Sequence, residues 1–293
     1  MSTRPRPDAR PRTTLPGLRA KKQAGEKVVM VTAYDYPAAL AADEAGIDLV
    51  LVGDSGAMTV LGYDSTVPVS VEEMLMLTAA VRRGLTSAFL VADLPFGSYE
   101  ISDAQAVATA LRFVKEAGAD AVKLEGGAPM QIARVEAIIA AGIPVMGHVG
   151  LTPQTATALG GYKAQGRSAA AAQRVTQEAL ALQAAGCFAI VFEAIPADLS
   201  AEVMPAMDTA VIIGIGAGAS TDGQVLVFHD LLGLGSGGAA KFVKRYADLH
   251  TATLEGLEAY ASEVRAGSYP AAEHTYAMDP QELSAFRAWH AGR

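Results

Sequence analysis

Four acidic side chains, Asp54, Asp93, Glu125 and Glu193, lie at or near the ends of four separate apolar runs. Taken singly, each is readily explained as a helix N-cap or a solvated loop acid. If the runs are parallel strands, however, their ends meet, and carboxylates that converge there must be protonated or neutralised by a cation. Carboxylate oxygens favour a hard ion such as Mg²⁺, and similar sites also accept Mn²⁺ or Co²⁺.

A lysine and a histidine accompany these carboxylates. Lys123 lies two residues before Glu125, so both side chains point to the same side of an extended strand. Lys123 is predicted either to neutralise the carboxylates or to hold a substrate carboxylate or an oxyanion. His148 lies near the end of another apolar run and is predicted either to be a structural histidine or to contact the substrate.

The elements that must position these side chains follow from eight short apolar runs rich in β-branched residues, at 28–33, 48–53, 89–94, 121–126, 144–149, 188–193, 211–216 and 225–230. Alanine-rich stretches separate most of them, and two of these stretches begin with capping-box patterns at Ser70 and Ser102. This alternation predicts parallel strands covered by helices, in a (β/α)₈ barrel whose active site lies at the C-terminal ends of the strands. A doubly wound open sheet is the alternative, because the connection between the last two runs is short for a helix.

Composition restricts the class of partner. With 293 residues, of which 51% are apolar, and a net charge of −8, the chain can bury one large core and offers no general attraction for nucleic acid or an anionic membrane. No apolar stretch reaches the roughly 18 residues that a membrane span needs. Small molecules are therefore the predicted partners. The single cysteine, Cys187, can form no internal disulfide and is compatible with a cytoplasmic location.

The domain organisation is predicted from a change in composition near the beginning. Residues 1–15 are rich in arginine and proline and are predicted to form a disordered arm. Residues 16–293 are predicted to form a single barrel domain with C-terminal helices.

Several long sequence blocks resemble ketopantoate hydroxymethyltransferases, from about residue 13 to residue 276. They include VTAYDYPAA (31–39), VGDSGAMTVLGYDSTVPV (52–69), ADLPFGSY (92–99), VKLEGG (122–127), GHVGLTPQ (147–154), GGYKAQGR (160–167), FEAIP (192–196) and KFVKRYADL (241–249). The chain departs from the family pattern at Gly56 and Ala57, where a bulkier pair, often Leu-Gly, is usual.

The resemblance implies a barrel of the phosphoenolpyruvate/pyruvate type that assembles as a homodecamer in the cytoplasm. It implies an enzyme that joins 3-methyl-2-oxobutanoate to the one-carbon unit of 5,10-methylenetetrahydrofolate, with Mg²⁺, on the route to pantothenate and coenzyme A. The residues that match the metal site are Asp54, Asp93 and Glu125. Those that match the oxo-acid site are Asp54, Ser55, Asp93 and Lys123. Glu193 matches the general base.

Two other functions remain open at the level of the residues. One is a Mg²⁺-dependent lyase or mutase of the isocitrate lyase kind, which also acts on 2-oxo acids. Such lyases use a reactive cysteine in a mobile loop, whereas Cys187 is predicted at the start of a strand. The other is a non-catalytic ligand-binding barrel, against which the metal ligands, the lysine and the separate base all argue.

Overall fold

The computed structural model describes residues 10–235, 237 and 240–293. Eight parallel strands form a closed barrel in sequence order: β1 Val28–Thr32, β2 Leu49–Val52, β3 Phe89–Asp93, β4 Ala121–Lys123, β5 Val145–Gly150, β6 Ala189–Glu193, β7 Val211–Ile215 and β8 Gly223–Leu226. Strand β1 pairs with β2 on one side and with β8 on the other, where Val28 is in register with Gly223. The barrel is therefore confirmed, and the open sheet is excluded.

Helices alternate with most of the strands. They are α1 Leu15–Ala24, α2 Tyr36–Glu44, α3 Gly56–Thr59, α4 Val71–Gly84, α5 Asp103–Lys115, α6 Pro129–Ala140, α7 Ala156–Leu159, α8 Ala169–Ala184, α9 Ala197–Val203, α10 Phe228–Leu232, α11 Leu249–Ala266 and α12 Pro280–Ala291. The capping box at Ser70 is complete. At Ser102 only half of it forms, because the Gln105 side chain accepts from the N–H of Ile101 rather than from that of Ser102.

Each strand has one face toward the barrel interior and one toward the helices. The inner apolar cluster contains Val91 of β3, Ala121 of β4, Met146 of β5 and Val191 of β6, whereas alternate residues belong to the outer cluster. Side chains two residues further along a strand point to the same face. The residues two positions after these four inner residues also point into the barrel, at its C-terminal end; they are Asp93, Lys123, His148 and Glu193.

Two strands, β8 and β4, differ from the sequence prediction by more than one residue at a boundary. β8 begins at Gly223, not at 225, and α10 takes up the end of the predicted run. A Cβ at position 223 would lie 2.2 Å from the Val28 carbonyl oxygen, so the pairing with β1 starts where glycine permits a close approach. β4 ends at Lys123, but hydrogen bonds from the N–H groups of Leu124 and Gly126 to β5 still hold the chain on both sides of Glu125.

The first nine residues of the predicted disordered arm lie outside the described residues. Its remaining part differs from the prediction, because it contacts the barrel. The N–H of Thr13 donates to the carbonyl of Ser87, Arg10 donates to the carbonyl of Gly46 at 2.8 Å, and Arg12 forms an ion pair with Asp120.

The chain divides into two compact units, one ending at Tyr246 and the other spanning Ala247–Arg293. The barrel lies in the first unit. The second contains α11 and α12, and although every residue of both helices is described, neither has a buried residue. That residues 16–293 form a single domain stays a prediction. Within the described ranges, no helix combines the length and the hydropathy needed to cross a membrane.

Candidate active site

A cavity of about 190 Å³ opens at the C-terminal end of the barrel. All seven side chains singled out from the sequence line it: Asp54, Ser55, Asp93, Lys123, Glu125, His148 and Glu193. A larger cavity of about 580 Å³ lies beneath α1 at the opposite end, but none of the described residues that line it is acidic. The smaller cavity is therefore the candidate active site, because it holds the groups that can do acid–base and metal chemistry.

Lys123 and Asp93 form a buried ion pair at the base of this cavity. The two residues are in register on neighbouring strands, and Lys123 Nζ lies 2.7 Å from Asp93 Oδ1. Burial by itself would lower the pKa of Lys123, but the carboxylates of Asp93, Glu125 and Asp54 outweigh burial and raise this pKa above its usual value. The lysine therefore carries its charge inside the barrel.

Asp54 has the least favourable surroundings for a negative charge. Burial, followed by repulsion from Asp93 and Glu125, raises the pKa of Asp54 well above its ordinary value. Its backbone N–H donates to Asp93 Oδ2 at 3.0 Å, so the turn after β2 is joined to the end of β3. Such a cluster holds more negative charge than one lysine neutralises, which favours a bound cation.

Gln154 contacts two of these acids, and the sequence reasoning did not single it out. Its side-chain Nε2 donates to Asp54 Oδ2 at 2.9 Å, and its backbone N–H donates to Glu125 Oε2 at 3.0 Å. The residue stands in the GHVGLTPQ block, but it lies in a 3₁₀ turn after β5, where no periodic pattern predicts the direction of a side chain.

Ser55 is held by a tyrosine that the sequence reasoning also left out. The hydroxyl oxygens of Ser55 and Tyr34 are 2.8 Å apart, and burial raises the pKa of Tyr34 to about 12. A Cβ at Gly56 would lie 2.7 Å from the Tyr34 ring, and one at Gly53 would lie 2.8 Å from Ser55 Oγ. Both glycines are therefore needed for the position of Ser55, and the small Gly56 leaves room for the tyrosine.

His148 lies between Glu193 and Glu125. Its Nε2 is 3.2 Å from Glu193 Oε2 and its Nδ1 is 3.5 Å from Glu125 Oε1, although neither contact has the geometry of a hydrogen bond. Burial and the charge of Lys123 act to lower the pKa of His148, but the two glutamates outweigh them and raise it to about 9. The structure thus gives His148 two carboxylate neighbours, and its contact with substrate stays a prediction.

Glu193 is the most accessible acid of the cluster. Its side chain is 17% exposed, compared with 3% for Asp93 and Glu125. Its carbonyl accepts from the N–H of Leu151 at 2.9 Å, and a Cβ at Gly150 would lie 2.1 Å from the same carbonyl oxygen. The backbone of Glu193 is therefore fixed, while its carboxylate stays open to the cavity.

The donor set suits a hard cation, although it is not preassembled. One oxygen each of Asp54, Asp93 and Glu125 accepts from an N–H group, which leaves the second oxygen of each for another partner. Nevertheless, in the part of the chain that is described, no three His, Cys, Asp or Glu side chains are arranged to hold a metal ion. Asp93 Oδ1 faces Lys123 instead. Because Mg²⁺ retains waters and takes ligands from its substrate, these carboxylates fit it without forming a closed cage.

Comparisons with solved structures support the fold. A phosphonopyruvate hydrolase superposes with a TM-score of 0.57 at 16% identity, with 95% of this chain and 97% of that chain covered. A 2,3-dimethylmalate lyase of the PEP mutase/isocitrate lyase superfamily superposes with a TM-score of 0.57 at 14% sequence identity, with 96% of this chain and 99% of that chain covered. At such low identity, the likeness concerns the barrel alone.

Comparisons of sequence identify the family. The chain is 55% identical to the 3-methyl-2-oxobutanoate hydroxymethyltransferase of Moorella thermoacetica, over 91% of this chain and 98% of that protein. It is 53% identical to the enzyme of the same name from Frankia alni, over 91% of this chain and 87% of that protein. The family model for ketopantoate hydroxymethyltransferase matches residues 12–272. The chain therefore belongs to the ketopantoate hydroxymethyltransferase family.

Proposed function

We propose that this protein transfers a one-carbon unit from 5,10-methylenetetrahydrofolate to 3-methyl-2-oxobutanoate. With one water, the reaction yields 2-dehydropantoate and tetrahydrofolate, and it serves pantothenate synthesis. The observation that carries the proposal is that one cavity holds a buried lysine, three acids suited to a hard cation, and a fourth, more accessible acid. The transferase name is carried by relatives that are 55% and 53% identical to this chain, whereas the lyase that superposes on the barrel is only 14% identical.

The oxo acid binds at the base of the cavity. Lys123 supplies a permanent positive charge for its carboxylate or for a developing oxyanion, and Ser55 supplies a hydroxyl held in place by Tyr34. Asp54, Asp93 and Glu125 are the residues that would hold Mg²⁺. When bound, Mg²⁺ supplies the Lewis-acid charge that makes the C3 proton of the oxo acid more acidic.

Glu193 accepts the C3 proton. It is the one acid of the four that contacts neither Lys123 nor Gln154 among the described residues, and it is the most accessible. His148 Nε2 lies 3.2 Å from its carboxylate. The electron pair left on C3 then forms the new bond to the methylene carbon as one of the two C–N bonds of the folate bridge breaks. Water replaces the second nitrogen on that carbon, which gives the hydroxymethyl group, and the folate nitrogens take up protons to leave as tetrahydrofolate.

The folate donor occupies the cavity mouth. A volume of about 190 Å³ suits a small branched oxo acid, whereas a folate is several times larger. Tyr162 and Met58 line the same cavity and are 55% and 40% exposed. Their side chains offer an aromatic face and a flexible thioether at the place where the second substrate must approach the enolate.

Turnover of purified protein tests this function. With 3-methyl-2-oxobutanoate, 5,10-methylenetetrahydrofolate and Mg²⁺, we expect stoichiometric formation of 2-dehydropantoate and tetrahydrofolate. The matched control replaces the substrate by 2-oxoacids whose C3 carries no hydrogen, which cannot form the enolate. Cleavage of 2-methylisocitrate or isocitrate without folate-dependent condensation would favour the lyase alternative instead.

We propose a homodecamer in the cytoplasm. The mean hydropathy of +0.25 is high, and large apolar side chains such as Met76 and Ile101 are 59% and 80% exposed in a single chain. The single cysteine, which is buried, supports a reducing compartment. Sedimentation at micromolar concentration should give a homo-oligomer, and a monomer would contradict this assembly.

A further inference from the structure

Gln154 joins the loops that follow three strands of the barrel. Its Nε2 donates to Asp54 Oδ2 after β2 and to the Leu94 carbonyl after β3, at 2.9 and 3.0 Å. Its backbone N–H donates to Glu125 Oε2 after β4, and its Oε1 accepts from the Tyr99 hydroxyl at 2.6 Å. Gln154 is 5% exposed and Tyr99 is 2% exposed, so the network is shielded from water.

The orientation of the Gln154 amide is determined by groups outside the acid cluster. A carboxamide has two hydrogens on nitrogen and only acceptor capacity on oxygen. The Leu94 carbonyl can only accept and therefore requires the nitrogen, while the Tyr99 hydroxyl donates to the oxygen. The second amide hydrogen is thereby directed at Asp54 whether or not Asp54 is charged.

Tyr99 is itself held in place from a neighbouring helix. Arg134 of α6 donates from Nε to the Tyr99 carbonyl at 3.0 Å and from another guanidinium nitrogen to the Glu100 carbonyl at 3.2 Å. The hydroxyl that orients Gln154 is thus attached to a backbone segment that the barrel scaffold fixes.

A second glutamine shows what a purely structural amide does in this fold. Gln183 of α8 donates to the Ala206 carbonyl at 3.0 Å and accepts from the N–H groups of Thr209 and Ala210, all of them backbone groups. Gln154, by contrast, directs one amide hydrogen and its own backbone N–H at two carboxylates of the cavity.

We infer that Gln154 is a positioning residue for the oxo-acid and Mg²⁺ site, and that Tyr99 orients its amide. By holding Asp54 Oδ2 and Glu125 Oε2, Gln154 leaves the other oxygen of each acid to face a ligand. The inference rests on the proposed function, since it assigns these acids the ligands proposed above. A lost outer partner of a ligating acid commonly costs 10- to 100-fold in metal affinity or activity.

The test compares Gln154→Met with Gln183→Met in the full-length protein. Methionine keeps the length of the side chain and removes its hydrogen bonds, while the backbone N–H to Glu125 remains. We expect Gln154→Met to raise the Mg²⁺ dissociation constant, measured by calorimetry without substrate, and the KM for the oxo acid by about tenfold or more. The turnover number at saturating ligands should change less. Gln183→Met should lower thermal stability to a similar degree but leave both constants at the parent values.

A double-mutant cycle tests the part played by Tyr99. Tyr99→Phe should weaken Mg²⁺ and oxo-acid binding in the parent, but should have no further effect in the Gln154→Met background, because it acts through that amide. Equal effects in both backgrounds would overturn the role of Tyr99. Parent-like Mg²⁺ affinity and KM in a folded Gln154→Met protein would overturn the role of Gln154.

These outcomes are separable from a failure of the proposed function. A parent protein that binds Mg²⁺ and the oxo acid but shows no folate-dependent turnover would refute the function, and the calorimetry would still decide the role of Gln154. A parent that turns over normally, with Gln154→Met indistinguishable from it, would refute the positioning role alone. A parent that binds neither ligand would overturn both.

Discussion

Replacing Lys123 by methionine removes the lysine that is ion-paired within the buried acid cluster, at nearly constant volume. Lys123 is 4% exposed and its Nζ lies 2.7 Å from Asp93 Oδ1. The variant leaves Asp93, Asp54 and Glu125 together without their cation. We expect a loss of stability that depends strongly on pH and on Mg²⁺.

The size of the expected stability loss follows from opposing electrostatic contributions. At 2.7 Å and an effective dielectric constant of 20, the attraction within the pair is about 6 kcal/mol. Desolvation of the two ions offsets most of it, so the intact pair contributes little net stability. Removing one partner, however, leaves a buried charge uncompensated and costs about 3–5 kcal/mol. That is the loss expected for Lys123→Met at pH 8 in the presence of a chelator.

The pH dependence has a definite sign. Without Lys123, burial and mutual repulsion raise the pKa values of Asp54 and Asp93 further above those of the unfolded chain, in the direction already seen for both acids. Acids with raised pKa values destabilise the fold when the pH is high enough to ionise them in the unfolded chain, and this destabilisation disappears as the pH falls below the unfolded values. The stability deficit of Lys123→Met, meaning the free energy of unfolding that it loses relative to the parent, should therefore shrink as the pH falls from 8 to 5.

Urea unfolding at fixed protein concentration measures this deficit, with and without chelator. The matched control is Lys21→Met, because Lys21 forms a partly exposed ion pair with Asp48 at 2.8 Å, and we expect it to cost at most about 1 kcal/mol. Added Mg²⁺ should restore part of the stability of Lys123→Met by binding the folded state. A deficit that is below about 1 kcal/mol, or the same at both pH values, would refute the reasoning about an uncompensated acid cluster.

Three further predictions concern the base, the metal and a buried structural acid. Glu193→Gln should retain Mg²⁺ and oxo-acid binding while turnover falls by about 10² to 10⁴, and it should abolish exchange of the C3 hydrogen in deuterated water without folate. Exchange at the parent rate would place Glu193 in the folate half of the reaction. Chelator-treated protein should lose activity and regain it with Mg²⁺, and full activity in metal-free buffer would contradict the metal site. Asp93→Ala should weaken the binding of both Mg²⁺ and the oxo acid. Burial opposes ionisation of Asp43, but hydrogen bonds from the Thr86 hydroxyl and three backbone N–H groups outweigh it and hold the Asp43 pKa below its usual value. An acid with a depressed pKa stabilises the fold at pH values above its pKa in the unfolded chain, and this stabilisation is lost as the pH falls through its pKa in the folded protein. The difference in the free energy of unfolding between the parent and Asp43→Asn, measured by urea unfolding, should therefore shrink from pH 7 to pH 3. A constant difference would show that the charge of Asp43 contributes nothing.

The positions of the acids could be predicted because they depend on a simple periodic pattern. Asp93, Glu125 and Glu193 lie at or near the ends of apolar runs, and in a barrel of parallel strands all such ends meet at one mouth. Alternation along each strand then decides which of them point inward. Closure itself was not decidable from the pattern, because the short link before β8 fits an open sheet too, and only the pairing of Val28 with Gly223 excludes that sheet.

The partners of these acids were decided by the tertiary structure. Gln154 reaches Asp54, which is 100 residues away in sequence, through a 3₁₀ turn that follows Gly150, whose φ is 99°. Tyr34 reaches Ser55 across the space that Gly56 leaves open. Turn conformations and close approaches of this kind depend on atoms from distant segments, so no local periodicity encodes them. The sequence by itself determined which charges meet at the mouth of the barrel, and only the packing of its loops decided which oxygen of each acid accepts a hydrogen bond and from which partner.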